Sequence, residues 1–264
     1  MQTILKEIYD YKVEFVSYLK QKKSQKEIEK KISDQEQPRG FISAISTIIK
    51  KNKPAIIAEV KKASPSKGII KKDFNPVFLA KQYEKGNATC ISVLTDEKYF
   101  LGSNSDLIEV KNNVKTPILR KEFIISEYQI FESRAIGADC ILLISEILSE
   151  SVLKNFISIA KMLDLNVIIE VHSEKDLKKF LNIEGVLIGI NNRNLKNMKV
   201  DINHAIKLTK KLNKNRIICE SGINSLLQFK GLIKENFKIF LIGEYFMKQQ
   251  IPSKELIKFS SCKI

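Results

Sequence analysis

Eight short apolar segments recur along this 264-residue chain, and they limit its possible folds more than any other feature of the sequence. Each is rich in Ile, Val and Leu, and each is followed by a longer amphipathic stretch. A strand that is apolar at nearly every position is typical of a parallel sheet covered on both faces. The segments are Ala55–Val60, Thr89–Leu94, Pro117–Arg120, Asp139–Ile144, Asn166–Val171, Gly185–Ile190, Arg216–Cys219 and Lys238–Ile242.

The alternation of strands and helices predicts parallel pairing through right-handed crossovers. Eight such units in about 210 residues fit a (β/α)8 TIM barrel in a single domain over residues 1–264. An open doubly wound sheet is the alternative, but it usually has fewer strands and a GxGxxG turn after the first, which this chain lacks. The predicted helices are Asn75–Gly86, Ser105–Asn112, Ser126–Gly137, Ser149–Leu163, Glu174–Leu181, Asp201–Leu212 and Ile223–Lys234, with a last one within Ser253–Ser261.

Residues 1–53 precede the first apolar segment and are predicted to form an N-terminal helical extension packed on the barrel. Two helices are expected, over Ile4–Lys22 and Phe41–Lys50, joined by a charged stretch through Asp34. The first helix could pack on the outside of the barrel or cover part of its mouth, and the sequence leaves both open.

The net charge of +15 raises the question of a nucleic-acid partner. However, the basic residues are spread along the chain and only five are Arg, the residue that most often reads bases and phosphates. We therefore expect no nucleic-acid partner, and at most an anionic substrate. No apolar run is long enough to cross a membrane, and four cysteines without a CxxC pair indicate reduced thiols in the cytoplasm.

Polar residues interrupt the apolar segments mainly at their carboxyl ends, where barrel enzymes carry their sites. Glu59 and Lys61 are two positions apart and share one face of the first strand, as Asn191 and Arg193 do after the sixth. A single such residue is most often a solvated loop residue or part of a structural salt bridge. Their convergence on one rim predicts acid–base chemistry instead, with further members at Lys121, Glu122, Glu170, Glu220, Ser221 and Glu244.

Glycines follow the last two strands, at Gly222 and Gly243. In barrels these two loops frequently bind phosphate through backbone N–H groups, although both could be ordinary turns. His172 follows Glu170 but alternates to the other face, and His204 lies in a predicted helix. Neither histidine is assigned to the site, and no metal is expected because no residue set has metal-ligand spacing.

The segment Ile57 to Gly68, which reads IAEVKKASPSKG, resembles the signature of the indole-3-glycerol phosphate synthase family. The resemblance covers nearly the whole chain and continues through 92–100, 119–123, 170–172, 189–195 and 220–223. Glu122 and Asn194 stand where the family more often has Asp, and Tyr245-Phe246 replaces a smaller pair.

The resemblance implies a cofactor-free lyase of tryptophan biosynthesis. Its substrate would be 1-(2-carboxyphenylamino)-1-deoxyribulose 5-phosphate, closed to an indole ring with loss of carbon dioxide and water. Lys121 would be the general acid for ring closure, Lys61 would bind the anionic substrate, and Glu170 would be the base or its partner. Glu59 would hold the lysines, and the division of acid and base roles among these four stays open.

The resemblance also implies which residues contact the substrate. Orientation would fall to Asn191, Arg193, Glu220 and Ser221. Phosphate would be held by Ser64, Gly222, Gly243 and the backbone of Glu244, and the anthranilate ring by Phe100, Phe123, Leu142 and Leu195.

Two other functions were considered. A phosphoribosyl anthranilate isomerase is a similar phosphate-binding barrel, but it lacks the 57–68 motif and the N-terminal extension. A basic RNA-binding module that had lost catalysis would not need every candidate acid and base. We therefore expect a monofunctional enzyme, a monomer by default, with a small phosphosugar as its partner and no membrane association.

Overall fold

The computed structural model describes residues 3–194 and 198–264, and eight of its strands close into a parallel barrel. Each barrel strand pairs with the next one in the chain, and the last pairs with the first. The fold predicted from the sequence, a TIM barrel, is therefore confirmed. The strands are β1 (Ala55–Val60), β2 (Ala63–Ser64), β3 (Gly68–Ile69), β4 (Cys90–Leu94), β5 (Ile118–Lys121), β6 (Cys140–Ile144), β7 (Asn166–Val171), β8 (Val186–Asn191), β9 (Ile217–Glu220) and β10 (Ile239–Ile242). The short strands β2 and β3 lie outside the barrel and form an antiparallel hairpin after β1.

Helices connect the strands close to the predicted positions. The main discrepancy is α10, which ends at Leu208 rather than Leu212, because residues 209–212 form turns. Helices α5 and α12 were not predicted, since four residues are too few to show a helical period. The helices are α1 (Ile4–Lys22), α2 (Gln25–Ile32), α3 (Phe41–Lys50), α4 (Pro76–Lys85), α5 (Glu97–Phe100), α6 (Asn104–Asn113), α7 (Glu127–Ala135), α8 (Glu150–Met162), α9 (Glu174–Phe180), α10 (Asn203–Leu208), α11 (Leu226–Lys234), α12 (Glu244–Met247) and α13 (Pro252–Ser260).

The barrel strands are buried on both faces, which explains their continuous apolar sequence. One apolar cluster lies between the strands and the surrounding helices, and it includes Ile56, Phe229 and Phe259. A second cluster fills the barrel interior with residues such as Ile57 and Leu119. Side chains pointing into the barrel thus form a packed core below the carboxyl ends of the strands.

Helix α3 closes the amino-terminal end of the barrel. Its side chains Phe41 and Ile45 are fully buried in the interior cluster, next to Ala55 and Ile239, the first residues of β1 and β10. The Ile42 N–H donates to Asn166 Oδ1 at the start of β7. This part of the extension is therefore a plug rather than an appendage.

Helices α1 and α2 pack against one side of the barrel, mainly against α7. The structure shows a helix, α2, where the sequence predicted only a charged stretch. Ser24 and Glu27 form a capping box there, and the buried Ile28 packs against Tyr128, so one local interaction and one tertiary contact stabilise this short helix. No helix within residues 3–194 and 198–264 has the length and apolar character needed to span a membrane.

Candidate active site

A cavity of about 620 Å³ opens at the carboxyl ends of the barrel strands. Its walls come from the ends of the barrel strands and the loops that follow them, as expected for this architecture. Leu195 lies outside the described residues. The other residues assigned from the sequence all line the cavity: Glu59, Lys61, Ser64, Phe100, Lys121, Phe123, Leu142, Glu170, Asn191, Arg193, Glu220, Ser221, Gly222, Gly243 and Glu244.

Lys121 is the centre of the charged cluster in this cavity. Its Nζ donates to Glu220 Oε2 at 2.8 Å and to Glu170 Oε2 at 3.3 Å. Glu220 ends β9, across the barrel from β5, and Glu170 is the penultimate residue of β7, two strands from β5. The barrel thus brings together residues 49 and 99 positions away in the chain. The Lys121 side chain keeps 14% of its surface exposed, and it therefore has access to a molecule in the cavity.

The cluster shifts the pKa values of its members in different directions. Burial disfavours charge on Lys121, but the carboxylates of Glu220, Glu170 and Glu59 outweigh it and raise the pKa of the ammonium. Burial would raise the pKa of Glu170, but Lys121, His172 and the Asn191 amide lower it below its ordinary value. For Glu220, burial dominates and, with repulsion from Glu170 and Glu59, raises the pKa to about 7 despite the attraction of Lys121. The cluster thus holds a charged ammonium and a stable carboxylate beside a carboxyl that can be protonated near neutrality.

Glu59 and Lys61 form the second charged pair. Lys61 Nζ donates to Glu59 Oε1 at 2.5 Å across one face of β1. A Cβ atom on Gly243 would lie 2.5 Å from Glu59 Oε1, and one on Gly189 would overlap Glu220 Oε1. Gly243 therefore has a steric role beside the phosphate role expected from the sequence. Gly189 was not selected from the sequence. Its missing side chain leaves the space that the Glu220 carboxylate occupies.

Asn191 and Arg193 belong to one hydrogen-bonded turn after β8. Asn191 donates to Glu170 Oε1 at 3.1 Å and accepts from the Arg193 backbone N–H at 2.9 Å. The Arg193 guanidinium donates to the Met198 carbonyl at 3.0 Å. The intervening Asn192 was missed by the sequence analysis, yet it donates to the Ser221 carbonyl at 3.1 Å and accepts from the Ala205 N–H. Asn192 thus fixes the loop after β9 relative to the loop after β8.

The loops after β9 and β10 border one end of the cavity. Ser221 and Gly222 after β9 are consecutive residues with positive φ, 64° and 84°, so the chain turns sharply there. Gly243 precedes α12, whose first residue is Glu244. Lys67 of the β2–β3 hairpin also lines this side of the cavity, and it was not selected from the sequence.

The apolar part of the cavity lies beside Lys121. The rings of Phe100 and Phe123 are 6.0 Å apart and tilted, and Leu142 lies in the same wall. Leu94 and Ile144 complete this wall, although the sequence analysis did not select them. An aromatic ring could therefore lie next to the Lys121 ammonium with its apolar faces covered.

A buried ion cluster supports the two loops that carry Phe100 and Phe123. Lys12 of α1 is 1% exposed, and its Nζ lies 2.9 Å from Asp96 Oδ2 and 2.8 Å from Glu122 Oε1. Asp96 caps α5, which carries Phe100, and Glu122 accepts from the Phe123 N–H. Helix α1 thus lies outside the barrel yet contacts the loops behind its mouth, and none of its residues lines the cavity in the described part of the chain. Glu122 stands where the resemblance leads one to expect Asp, and this contact explains it, because the Glu122 carboxylate bonds a lysine of the extension.

The sequence analysis was wrong to place His172 on the other face from Glu170. His172 Nε2 lies 3.4 Å from Glu170 Oε1, and Nδ1 lies 3.2 Å from Glu146 Oε2. Residues two positions apart lie on the same face of a strand, as Glu59 and Lys61 do, so the prediction for His172 misapplied the alternation rule. His172 is therefore adjacent to the charged cluster.

The unusual Tyr245-Phe246 pair does not alter the cavity. Phe246 is fully buried among helices, beside Tyr83 and Phe259, and the Tyr245 hydroxyl donates to Glu255. Neither residue lines the cavity. Over residues 3–194 and 198–264, no three His, Cys, Asp or Glu side chains are grouped as a metal site.

Comparisons with known proteins show what the chain is similar to. A family model described as indole-3-glycerol phosphate synthase matches residues 5–259. An indole-3-glycerol phosphate synthase of Trichodesmium erythraeum is 43% identical and covers 97% of this chain and 88% of that protein. One of Aliarcobacter butzleri is 42% identical and covers 98% of both.

Solved structures support the fold. The tryptophan synthase alpha subunit of Legionella pneumophila superposes with a TM-score of 0.62 at 12% identity, over 85% of this chain and 98% of that one. A thiamine phosphate pyrophosphorylase of Pyrococcus furiosus gives 0.57 at 13% identity, over 79% and 95%. At such low identity these two matches bear on the barrel alone.

Proposed function

The chain belongs to the indole-3-glycerol phosphate synthase family, whose members are decarboxylating lyases of tryptophan biosynthesis, and we propose that its mouth cluster carries out that reaction as follows. The substrate, 1-(2-carboxyphenylamino)-1-deoxyribulose 5-phosphate, is a long anion with an aromatic ring at one end and a phosphate at the other. The cavity offers an apolar wall at Phe100 and Phe123 and a glycine-lined, lysine-flanked end at Gly222 and Gly243.

Ring closure requires an acid at the ketone oxygen while the ring carbon attacks. Lys121 fits this role because its ammonium is held charged by two carboxylates and lies beside the aromatic wall. Once carbon dioxide leaves, its bonding electrons restore the aromatic ring, and no proton transfer is needed. Glu170 and Glu220 serve at this stage by keeping the Lys121 ammonium in place.

Loss of water requires a base for a ring proton and an acid for the departing hydroxyl. Glu170 fits the base because its lowered pKa keeps it ionised and Asn191 fixes its orientation. Lys61 fits the second acid, since Glu59 holds its ammonium at the other side of the cavity. Lys61 and Arg193 also offer positive charge to the substrate carboxylate before it leaves as carbon dioxide.

The phosphate end is assigned to backbone and side-chain donors around α12 and the loop after β9. Ser64, Gly222, Gly243 and the N–H of Glu244 border this end, and Ser221 orients the neighbouring sugar hydroxyls. Lys67 adds positive charge there. This reaction needs no cofactor, because carbonyl activation and both proton transfers come from side chains.

The Lys121–Glu170–Glu220 constellation is the observation that carries this assignment. Incubating the purified chain with the carboxyphenylamino-deoxyribulose phosphate should give indole absorbance in proportion to enzyme. A folded protein that forms no indole product would contradict the proposal. Filter binding at physiological salt tests the RNA-binding alternative, for which we expect no specific retention.

We further propose that the chain works as a single-domain monomer in the cytoplasm, with residues 1–53 as an integral part of the barrel. The plug at α3 and the Lys12 contacts support the second point. The four cysteines are all unpaired, as expected in a reducing compartment. Light scattering across protein concentrations tests the oligomeric state.

A further inference from the structure

Asn192 is a buried side chain that has no part in the reaction described above, yet its amide bonds three other residues. Nδ2 donates to the Ser221 carbonyl at 3.1 Å and to Cys219 Sγ at 3.4 Å, and Oδ1 accepts from the Ala205 N–H at 2.9 Å. The residue is 2% exposed. Because the oxygen end faces an N–H and the nitrogen end faces a carbonyl, only one orientation of the amide satisfies both ends.

The contacts of Asn192 lie on the helix side of the barrel wall. Cys219 belongs to the apolar cluster between the strands and the helices, and Ala205 is a residue of α10. Asn191, one position earlier, lines the cavity and bonds Glu170. Side chains alternate between the two faces of a strand, so the Asn192 amide lies behind the wall. The Ser221 carbonyl, which accepts from that amide, is therefore directed away from the cavity.

The direction of the Ser221 carbonyl also sets the direction of the next N–H. The described residues contain no cis peptide bond, and in a planar trans peptide the carbonyl and the following N–H point in opposite directions. The Gly222 N–H is thus turned toward the cavity, which Gly222 lines. Ser221 has a φ of 64°, a conformation that a non-glycine residue keeps only when its surroundings hold it. The hydrogen bond from Asn192 is a contact that does so.

The backbone of Asn192 makes this residue a fixed point for the turn. Its N–H donates to the Glu220 carbonyl at 2.9 Å, next to the pairing of β8 with β9, and its carbonyl accepts from the Asp201 N–H at 2.9 Å. Asn192 is thereby attached to the barrel wall on one side and to the segment before α10 on the other. The amide is held by the scaffold, and the Ser221–Gly222 turn is held by the amide.

We propose that Asn192 is a positioning residue that aims the Gly222 N–H at the phosphate group of the substrate. Asn192 is not among the residues that line the cavity in the described part of the chain, so it acts only through the Ser221–Gly222 peptide. This inference rests on the proposed function, which places the phosphate at Gly222 and Gly243. Loss of the amide should weaken the recognition of phosphate and leave Lys121 and Glu170 in place.

The test compares the phosphorylated substrate with its phosphate-free analogue, 1-(2-carboxyphenylamino)-1-deoxyribulose, in an Asn192→Ala variant. The kcat/KM for the phosphorylated substrate should fall about tenfold further than that for the analogue, the scale of one lost hydrogen bond to a charged group. The loss should appear in KM, with kcat close to wild type. Inorganic phosphate should also become a weaker competitive inhibitor, with a KI about tenfold higher.

Thr209→Val is the matched control for a general loss of structure. Thr209 is fully buried at the end of α10, and its hydroxyl donates to the Ala205 carbonyl at 2.7 Å. The variant should lower the unfolding free energy without reaching Ser221, so the ratio of kcat/KM for the two substrates should stay at its wild-type value.

Asn192→Asp carries the test should Asn192→Ala fail to fold. An aspartate keeps an oxygen for the Ala205 N–H, but its ionised carboxylate cannot donate to the Ser221 carbonyl. It is assayed at pH 8, about four units above the ordinary pKa of aspartate. The same loss of preference for the phosphorylated substrate is expected.

Equal losses of kcat/KM for the two substrates, or an unchanged KI for inorganic phosphate, would overturn the positioning role. Absence of indole product from the wild type would instead overturn the proposed function. Thermal denaturation with inorganic phosphate then still tests Asn192, because a bound anion raises Tm in proportion to its affinity. The rise should be smaller in Asn192→Ala than in wild type, and equal rises would overturn the inference.

Discussion

Two lysines of this chain lie between pairs of carboxylates, and their surroundings differ in one respect. Lys12 contacts Asp96 and Glu122 at 2.9 and 2.8 Å, and Lys121 contacts Glu220 and Glu170 at 2.8 and 3.3 Å. In both cases burial opposes the charge while the carboxylates outweigh it and raise the pKa of the ammonium. Lys12 is sealed at 1% exposure, whereas Lys121 borders the cavity.

Under the proposed function, the reactive cluster is the one that a substrate can reach. Around Lys12 the two carboxylates face the ammonium and, near Glu122, the Arg120 guanidinium, and the aromatic rings of Tyr11 and Phe15 lie near the ammonium. Around Lys121 the carboxylates outnumber the lysines, and one carboxyl, Glu220, titrates near neutrality. The first cluster should therefore affect stability, and the second should affect turnover.

Replacing Lys12 by Met should produce the largest loss of stability. The change leaves Asp96 and Glu122 buried without their cation, which typically costs about 3–5 kcal/mol of unfolding free energy. Urea denaturation followed by circular dichroism measures it. Lys6→Met on the same helix is the matched control, since its pair with Asp10 is exposed and should cost less than about 1 kcal/mol. Equal losses in the two variants would contradict a structural role for Lys12.

Replacing Lys121 by Ala should reverse this pattern. Turnover should fall by about 10² or more, the usual scale for a lost general acid. The loss of stability should be smaller than for Lys12→Met, because the two carboxylates left behind face an open cavity and water can reach them. Steady-state indole formation and urea denaturation on the same preparations test both points. Near-normal turnover would remove Lys121 from the chemistry.

Replacing Glu220 by Gln should change how stability depends on pH. The pKa of Glu220 is raised in the folded chain. The stability that protonated Glu220 contributes is therefore fully present below its unfolded pKa near 4.5 and is lost as pH rises through the folded pKa of about 7. The variant does not lose stability in this way. The Tm of the variant minus the Tm of the wild type should therefore rise from pH 5 to pH 8. Glu174→Gln, at an exposed glutamate, is the control and should show no such trend. A constant Tm difference would mean that Glu220 is ionised throughout.

Replacing Lys61 by Ala should raise KM and also lower kcat, because Lys61 is proposed both to contact the substrate carboxylate and to protonate the departing hydroxyl. The variant loses a charge-assisted contact to an anionic substrate, worth about 1.5–3 kcal/mol, while Lys121 remains for ring closure. Initial rates over a range of substrate concentrations separate KM from kcat. Lys62→Ala, at the adjacent residue outside the cavity lining, should leave KM unchanged. A fall in kcat at unchanged KM would instead make Lys61 a direct participant in dehydration alone.

The sequence allowed the barrel and most of its mouth to be predicted, for a physical reason. Strands covered on both faces have little choice but apolar residues, so a residue such as Glu170 or Lys121 at a strand end is conspicuous. The same rule places all these residues on one rim. Tyr245-Phe246 could not be interpreted from sequence, because the direction of side chains after a strand depends on the local turn.

Other features left little trace in the sequence. Lys12 is one of many lysines on a helix whose sequence shows no sign that it is buried between two carboxylates. His172 was set aside by a misapplied alternation rule, since a residue two positions from Glu170 shares its face. Gly189 looks like an ordinary apolar position in β8, and only the approach of Glu220 explains it. Lys12 and Gly189 depend on partners distant in the chain, which no local pattern encodes.

The plug formed by Phe41 and Ile45 has a consequence for traffic through the site. With the amino-terminal end of the barrel filled, the described residues leave no route from the cavity through that end. Substrate therefore enters at the mouth of the barrel, and carbon dioxide, water and the indole product leave on the same side. The product must therefore leave the cavity before the next substrate can bind.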